Sequence, residues 1–114
     1  MQRRGLIVDD EMAVCEMVGQ VLTSAGMEAL TLIKSSEAPA LLNQGKFDVV
    51  FLNLHIAAPD GIKLARQMRV SRWNRSTPII LISDDQRPSA MSVGFEAGAS
   101  FFLYKPLDKD RVAS

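Results

Sequence analysis

Short apolar runs alternate with amphipathic stretches five times along this chain of 114 residues, and that alternation limits the fold more than any other feature. Leu6-Ile7-Val8 is a compact run that stops at Asp9-Asp10. Glu11 to Ala25 reads as a helix, because Val14, Val18, Val21 and Leu22 share one face at three- and four-residue spacing. Gly26 stands where a left-handed helix cap is wanted. Glu28 to Ile33 is a second, less apolar strand, and Ser35-Ser36 is expected to cap a short helix through Asn43 that Gly45 ends. Asp48 to Leu52 is the most apolar strand and is expected at the centre. Gly61 to Val70 is a helix whose faces are set by Ile62, Ala65 and Met68 or Arg69. A polar loop around Trp73 follows, then a strand from Pro78 to Ile82, with proline where a missing ladder donor is tolerated. Pro88 to Ala97 is a helix closed by Gly98, Ser100 to Tyr104 is the fifth strand, and Asp108 to Ser114 reads as the capped start of a further helix.

Apolar strands that each lead into a helix argue a parallel sheet covered on both faces. The length suits one domain over residues 1–114. Thirteen basic residues balance thirteen acidic ones, which removes any bulk electrostatic case for direct nucleic-acid or anionic-membrane binding. No apolar run approaches the ~20 residues that span a bilayer, and no signal-peptide pattern opens the chain. The single cysteine, Cys15, fits a reducing compartment, so a cytoplasmic location is expected.

In a parallel sheet of this kind, chemistry gathers beyond the carboxyl ends of the strands. Those ends carry Asp9 and Asp10, then Asn53, then Ser83 with Asp84 after it, and finally Lys105. Each alone is an ordinary residue at a strand exit. Together they make a polar cluster of two carboxylates, a carboxamide, a hydroxyl and an ammonium above an apolar sheet. Hard oxygen ligands suit Mg²⁺, and a hydroxyl and an ammonium suit phosphoryl oxygens.

With these residues in place the chain resembles the receiver domain of bacterial response regulators over nearly its whole length. The likeness rests on Val8-Asp9-Asp10-Glu11, Asp48-Val49-Val50-Phe51-Leu52-Asn53, Asp60-Gly61, Thr77 to Ser83, Gly94 to Ala99, and Phe102-Leu103-Tyr104-Lys105-Pro106-Leu107. The resemblance implies a flavodoxin-like five-stranded sheet in the order 2-1-3-4-5. It implies that Asp9, Asp10 and the backbone carbonyl of His55 are the metal ligands, and that Ser83 and Lys105 contact the phosphoryl group. It makes Ser83 and Phe102 the switch residues and the Lys105-Pro106 peptide cis. The implied partners are a histidine kinase and an output domain.

Three departures stand out. Asn53 occupies the place of the phosphate-accepting aspartate. A carboxamide is a poor nucleophile, and losing one negative charge weakens the Mg²⁺ site. Asp84 follows the hydroxyl residue where the family usually has a small one; it either repels a phosphoryl donor or points into solvent. Ala57 stands where a proline is usual and Pro59 comes later, so the loop is expected to follow another path.

The expected function is therefore a pseudo-receiver: a signalling module, not an enzyme, acting through protein contacts. The alternatives are an ordinary receiver whose acceptor aspartate was changed to Asn53, and a small phosphohydrolase with Asp9 as nucleophile. His55, the only histidine, is more simply a loop residue than an acceptor, and Cys15 reads as buried in its helix. Arg66, Arg69, Arg72 and Arg75 read as a solvated helix face rather than a nucleic-acid contact. The fifth helix implied by the family is cut after about one or two turns. Uncovered apolar surface and self-association are expected, with any output domain beyond residue 114.

Overall fold

A computed structural model of the chain describes residues 2–108 and Val112. Its elements are β1 (Arg4–Val8), α1 (Met12–Ser24), β2 (Glu28–Leu32), a 3₁₀ turn (Ser35–Glu37), α2 (Ala38–Leu42), β3 (Val49–Asn53), α3 (Gly61–Arg69), β4 (Ile79–Ser83), α4 (Pro88–Glu96) and β5 (Phe101–Tyr104). The five strands form one parallel sheet in the order β2-β1-β3-β4-β5, as expected. The last-helix reading falls mostly outside the described residues. Within them, Val112 is helical and its N–H donates to Asp108 O at 3.0 Å.

Side chains alternate across a strand, so the central strands feed two cores. Leu6, Val8, Val50, Leu52, Ile79 and Leu81 point to the face covered by α2, α3 and α4. Ile7, Phe51 and Ile82 point to the other, where α1 packs Val14, Cys15, Val18 and Leu22. Each fully buried Leu or Ile is worth about 1.5–3 kcal/mol in transfer from water. The edge strands β2 and β5 are less buried than the central three; β2 is less apolar as well, whereas β5 keeps the apolar sequence Phe101-Phe102-Leu103-Tyr104.

Local details correct the sequence reading. Val21 is only half-buried; Cys15 takes its place on the core face of α1. In α3 it is Gly61, Leu64, Ala65 and Met68 that are buried, while Ile62 lies at the margin. Ser35 does not cap a helix with its side chain. Its hydroxyl donates to Ala57 O at 2.5 Å, tying the segment after β2 to the loop after β3.

The basic stretch is not uniformly solvated. Arg66, Arg72 and Arg75 are exposed, but the Arg69 guanidinium donates to Gly98 O at 2.6 and 3.0 Å and to Thr77 O at 2.8 Å. Burial lowers its pKa below the usual arginine value. Asn74, read as one residue of a polar loop, is fully buried. Its Oδ1 accepts from Phe47 N at 2.9 Å, and its Nδ2 donates to Leu42 O and Gly45 O at 2.8 and 3.0 Å. The loop before β4 is thus stitched to the loop before β3, at the amino end of the sheet. This buried polar knot is fully satisfied, the arrangement that makes such groups stabilising.

Candidate functional site

Parallel registers bring the carboxyl ends of the strands together. Val8 pairs with Leu52, Asn53 with Ile82, and Ser83 with Tyr104, so the residues that follow β1, β4 and β5 share one rim with Asn53.

Asp9 sits at the centre of this rim with no exposed surface. Its Oδ1 accepts from the backbone N–H of Glu11 at 2.9 Å, which turns the chain into α1. Its own N–H donates to Leu32 O at 3.1 Å and its carbonyl accepts from Cys15 Sγ at 3.2 Å. Lys105 reaches in from just after β5, its backbone N–H donating to Ser83 O at 2.9 Å. Lys105 Nζ lies 3.3 and 3.4 Å from the two Asp9 oxygens and 2.7 Å from Glu11 Oε1. The Lys105-Pro106 peptide is cis, as is Ala58-Pro59.

Asn53 is almost buried, and both ends of its carboxamide are engaged. Nδ2 donates to Asp10 Oδ1 at 3.2 Å and to Asp9 Oδ1 at 3.4 Å, while Oδ1 accepts from the His55 N–H at 3.3 Å. The network fixes the amide's orientation, since a flipped amide would set its NH₂ against the His55 N–H.

Burial is the largest influence on Asp9 and raises its pKa; the Glu11 N–H and Lys105 offset this only in part. Burial pulls Lys105 down, but the hydrogen bond to Glu11 and the charge of Asp9 outweigh it, and its pKa is raised. Burial is thus the largest single influence on both members of the pair, and the lysine stays cationic because its carboxylate partners outweigh it.

The remaining predicted residues stand at the margins of this network. Ser83 is buried beside it, but its Oγ accepts from Asp85 N at 2.9 Å. His55 joins through its backbone; its exposed ring meets Asp85 Oδ2 at 3.1 Å. Phe102 is half-buried on β5, its ring 5.3 Å from that of Tyr104 and packed against the α3–α4 side of the core. Asp84 is exposed. Its neighbour Asp85 does the work near the rim, bound by Arg87 Nε and Nη2 at 2.9 and 2.6 Å; these bonds, with His55, hold its carboxyl well below the usual range. Glu11 and Asp85 escaped the sequence reading. Only the adjacency of Glu11 to the acidic pair gave any signal for the first, and nothing did for the second.

The donor set fits a divalent cation poorly. Asn53 presents N–H groups, not a lone pair, to both carboxylates, and Lys105 already covers Asp9. Asp9 Oδ2 makes no hydrogen bond, yet the Lys105 ammonium 3.3 Å away answers its charge. Among the described residues no three His, Cys, Asp or Glu side chains converge as metal ligands.

A parallel sheet in the order 2-1-3-4-5 with a polar cluster on its carboxyl rim defines the CheY-like flavodoxin class. The chain belongs to the response regulator receiver domain family, whose model it matches over residues 6–114. It is 32% identical over 101 residues to the phosphate regulon transcriptional regulatory protein PhoB of Pseudomonas aeruginosa, covering 89% of this chain and 44% of that one. It is 29% identical over 106 residues to the sensory/regulatory protein RpfC of Xanthomonas campestris, covering 91% of this chain and 15% of that one. It thus spans less than half the length of either relative. Among solved structures, the chemotaxis response regulator CheY4 of Vibrio cholerae superposes with a TM-score of 0.89 at 26% identity, covering 98% of this chain and 93% of that one. A putative response regulator from Chloroflexus aurantiacus does so with a TM-score of 0.89 at 29% identity, covering 98% and 92%. No described helix is long and apolar enough to cross a membrane.

Proposed function

We propose that this receiver domain takes no phosphoryl group at the standard position and works as a pseudo-receiver through protein contacts. One observation carries the reading: Asn53, at the end of β3 where the family places its acceptor aspartate, offers a carboxamide whose N–H groups are bound to Asp9 and Asp10. Such a group neither attacks phosphorus readily nor forms an acyl phosphate. In this reading Asp9, Asp10 and the His55 carbonyl are the family's metal-ligand positions, with Mg²⁺ affinity lowered by Asn53. Ser83 and Lys105 are the phosphoryl-contact positions, and Ser83 and Phe102 the switch positions. The domain acts in the cytoplasm, with a histidine kinase or an output domain as partner. It self-associates through exposed apolar residues such as Phe101, which is 67% exposed. Asp9 has no exposed surface and faces Lys105 with both oxygens, which argues against a phosphohydrolase nucleophile.

Incubation with acetyl phosphate and Mg²⁺, followed by intact-mass measurement, tests the reading. No phosphorylated species is expected; stoichiometric phosphorylation mapped to this domain would overturn it. The retained Asp9, Asp10, Ser83 and Lys105 favour a second reading, an ordinary receiver carrying Asn53 in place of aspartate. An aspartate codon at position 53 of the native gene would establish that one.

A further inference from the structure

The Asn53 carboxamide does something at the rim beyond failing to accept phosphate. Two carboxylates on adjacent residues, one of them fully buried, repel each other and need positive charge or N–H donors close by. In this chain both requirements are met from within. Asn53 Nδ2 bridges Asp9 Oδ1 and Asp10 Oδ1, and Lys105 Nζ bridges Asp9 and Glu11. The shortest contact of Lys105 is with Glu11, at 2.7 Å, so its ammonium is drawn toward the start of α1. The carboxamide in turn is braced by the His55 N–H, which leaves no oxygen of Asn53 facing the carboxylates.

We propose that the rim is a cation-independent clamp, in which the Asn53 amide takes the place of a divalent ion on Asp9 and Asp10 while Glu11 holds Lys105. The proposal rests on the pseudo-receiver reading but makes a separate claim: divalent metal does not enter this rim, and the rim keeps one arrangement with or without it. A cation would have to displace the amide hydrogens from both carboxylates and would then meet the Lys105 ammonium, which lies 3.4 Å from the same Asp9 oxygen that the amide bonds. An aspartate at position 53 reverses the balance. It removes the two N–H donors and sets a third carboxylate against the pair, so an Asn53→Asp chain needs a cation that the Asn53 chain does not.

The test is Mn²⁺ titration of the unmodified chain, followed by paramagnetic broadening of backbone amides, with thermal unfolding in EDTA and in Mg²⁺ alongside. No saturable broadening of the Asp10, Asn53 and His55 amides is expected, and the melting temperature is the same in EDTA and in Mg²⁺. Asn53→Asp is expected to broaden at those amides and to be stabilised by Mg²⁺; an ion at roughly ten times its Kd shifts the folding equilibrium about tenfold. Saturable broadening confined to the rim of the unmodified chain overturns the clamp. Should Asn53→Asp not fold without metal and be rescued by Mg²⁺, the clamp is supported; should it fold and bind no Mn²⁺, the amide is not what excludes the ion and the proposal fails. Phosphorylation by acetyl phosphate reads the parent proposal and Mn²⁺ binding reads this one. A chain that binds Mn²⁺ but takes no phosphate loses only the clamp.

Discussion

Asn74 commits both ends of its carboxamide to backbone groups of the segment before β3. Asn74→Ala leaves the Phe47 N–H and the Leu42 carbonyl without partners in a buried site, at about 1–3 kcal/mol for each group left unsatisfied. We expect a loss of about 2–6 kcal/mol in total, read as a lower urea midpoint at unchanged slope. Cys15 gives a second prediction. Burial first, and then the negative charge of Asp9, push its thiol up from 9.0 to about 11. The folded chain therefore keeps a proton that the unfolded chain releases near pH 9. This contribution to stability is complete below about pH 9 and is lost as pH rises through about 11. Cys15→Ala is expected to flatten the pH dependence of the urea midpoint in that range, and iodoacetamide should label Cys15 only in denaturant. Asp9, Asp10, Asn53, Ser83 and Lys105 were legible because each ends or follows a strand, and a parallel sheet collects such residues by rule. Asn74, Arg69 and Glu11 were not, because their roles depend on how distant loops lie against one another. No local spacing records that.

Helix α3 starts in a tight place. Asp60 Oδ1 accepts from Lys63 N at 2.9 Å, capping the first turn, and the Gly61 N–H donates to Leu54 O at 3.1 Å. A Cβ on Gly61 would stand 2.6 Å from Asn53 O and 2.9 Å from the Leu54 Cα, both backbone atoms that cannot swing aside. Asp60→Ala should cost about 1 kcal/mol of stability as a lost cap. Gly61→Ala should cost more and also shift the Asn53 amide resonance, which Asp60→Ala should leave nearly unmoved. Gly98 closes α4 at a φ of +110°, with the Arg69 side chain 2.6 Å from where its Cβ would be. At this scale the sequence was read well. Gly26 and Gly98 were placed correctly as helix ends, and the strand cores matched within a residue or two. The Ser35 cap was misread because its hydroxyl finds a carbonyl 22 positions away instead of a nearby N–H.

Across the whole molecule, apolar side chains remain uncovered on α4 and β5: Val93, Phe95 and Phe101. Exposed apolar surface of this kind favours association. Light scattering should show a concentration-dependent rise in mass that Phe101→Asp reduces; a monomer at high concentration would count against self-association. The rim itself has another whole-chain property. Its central ion pair joins residues 96 positions apart, with the segment after β1 supplying one partner and the segment after β5 the other. Neither half of the chain contains the pocket. A ribosome that has released only the first four strands has made every acidic residue of the rim and none of its counterion, so Asp9 gains its neutralising neighbour only when nearly all of this sequence has emerged.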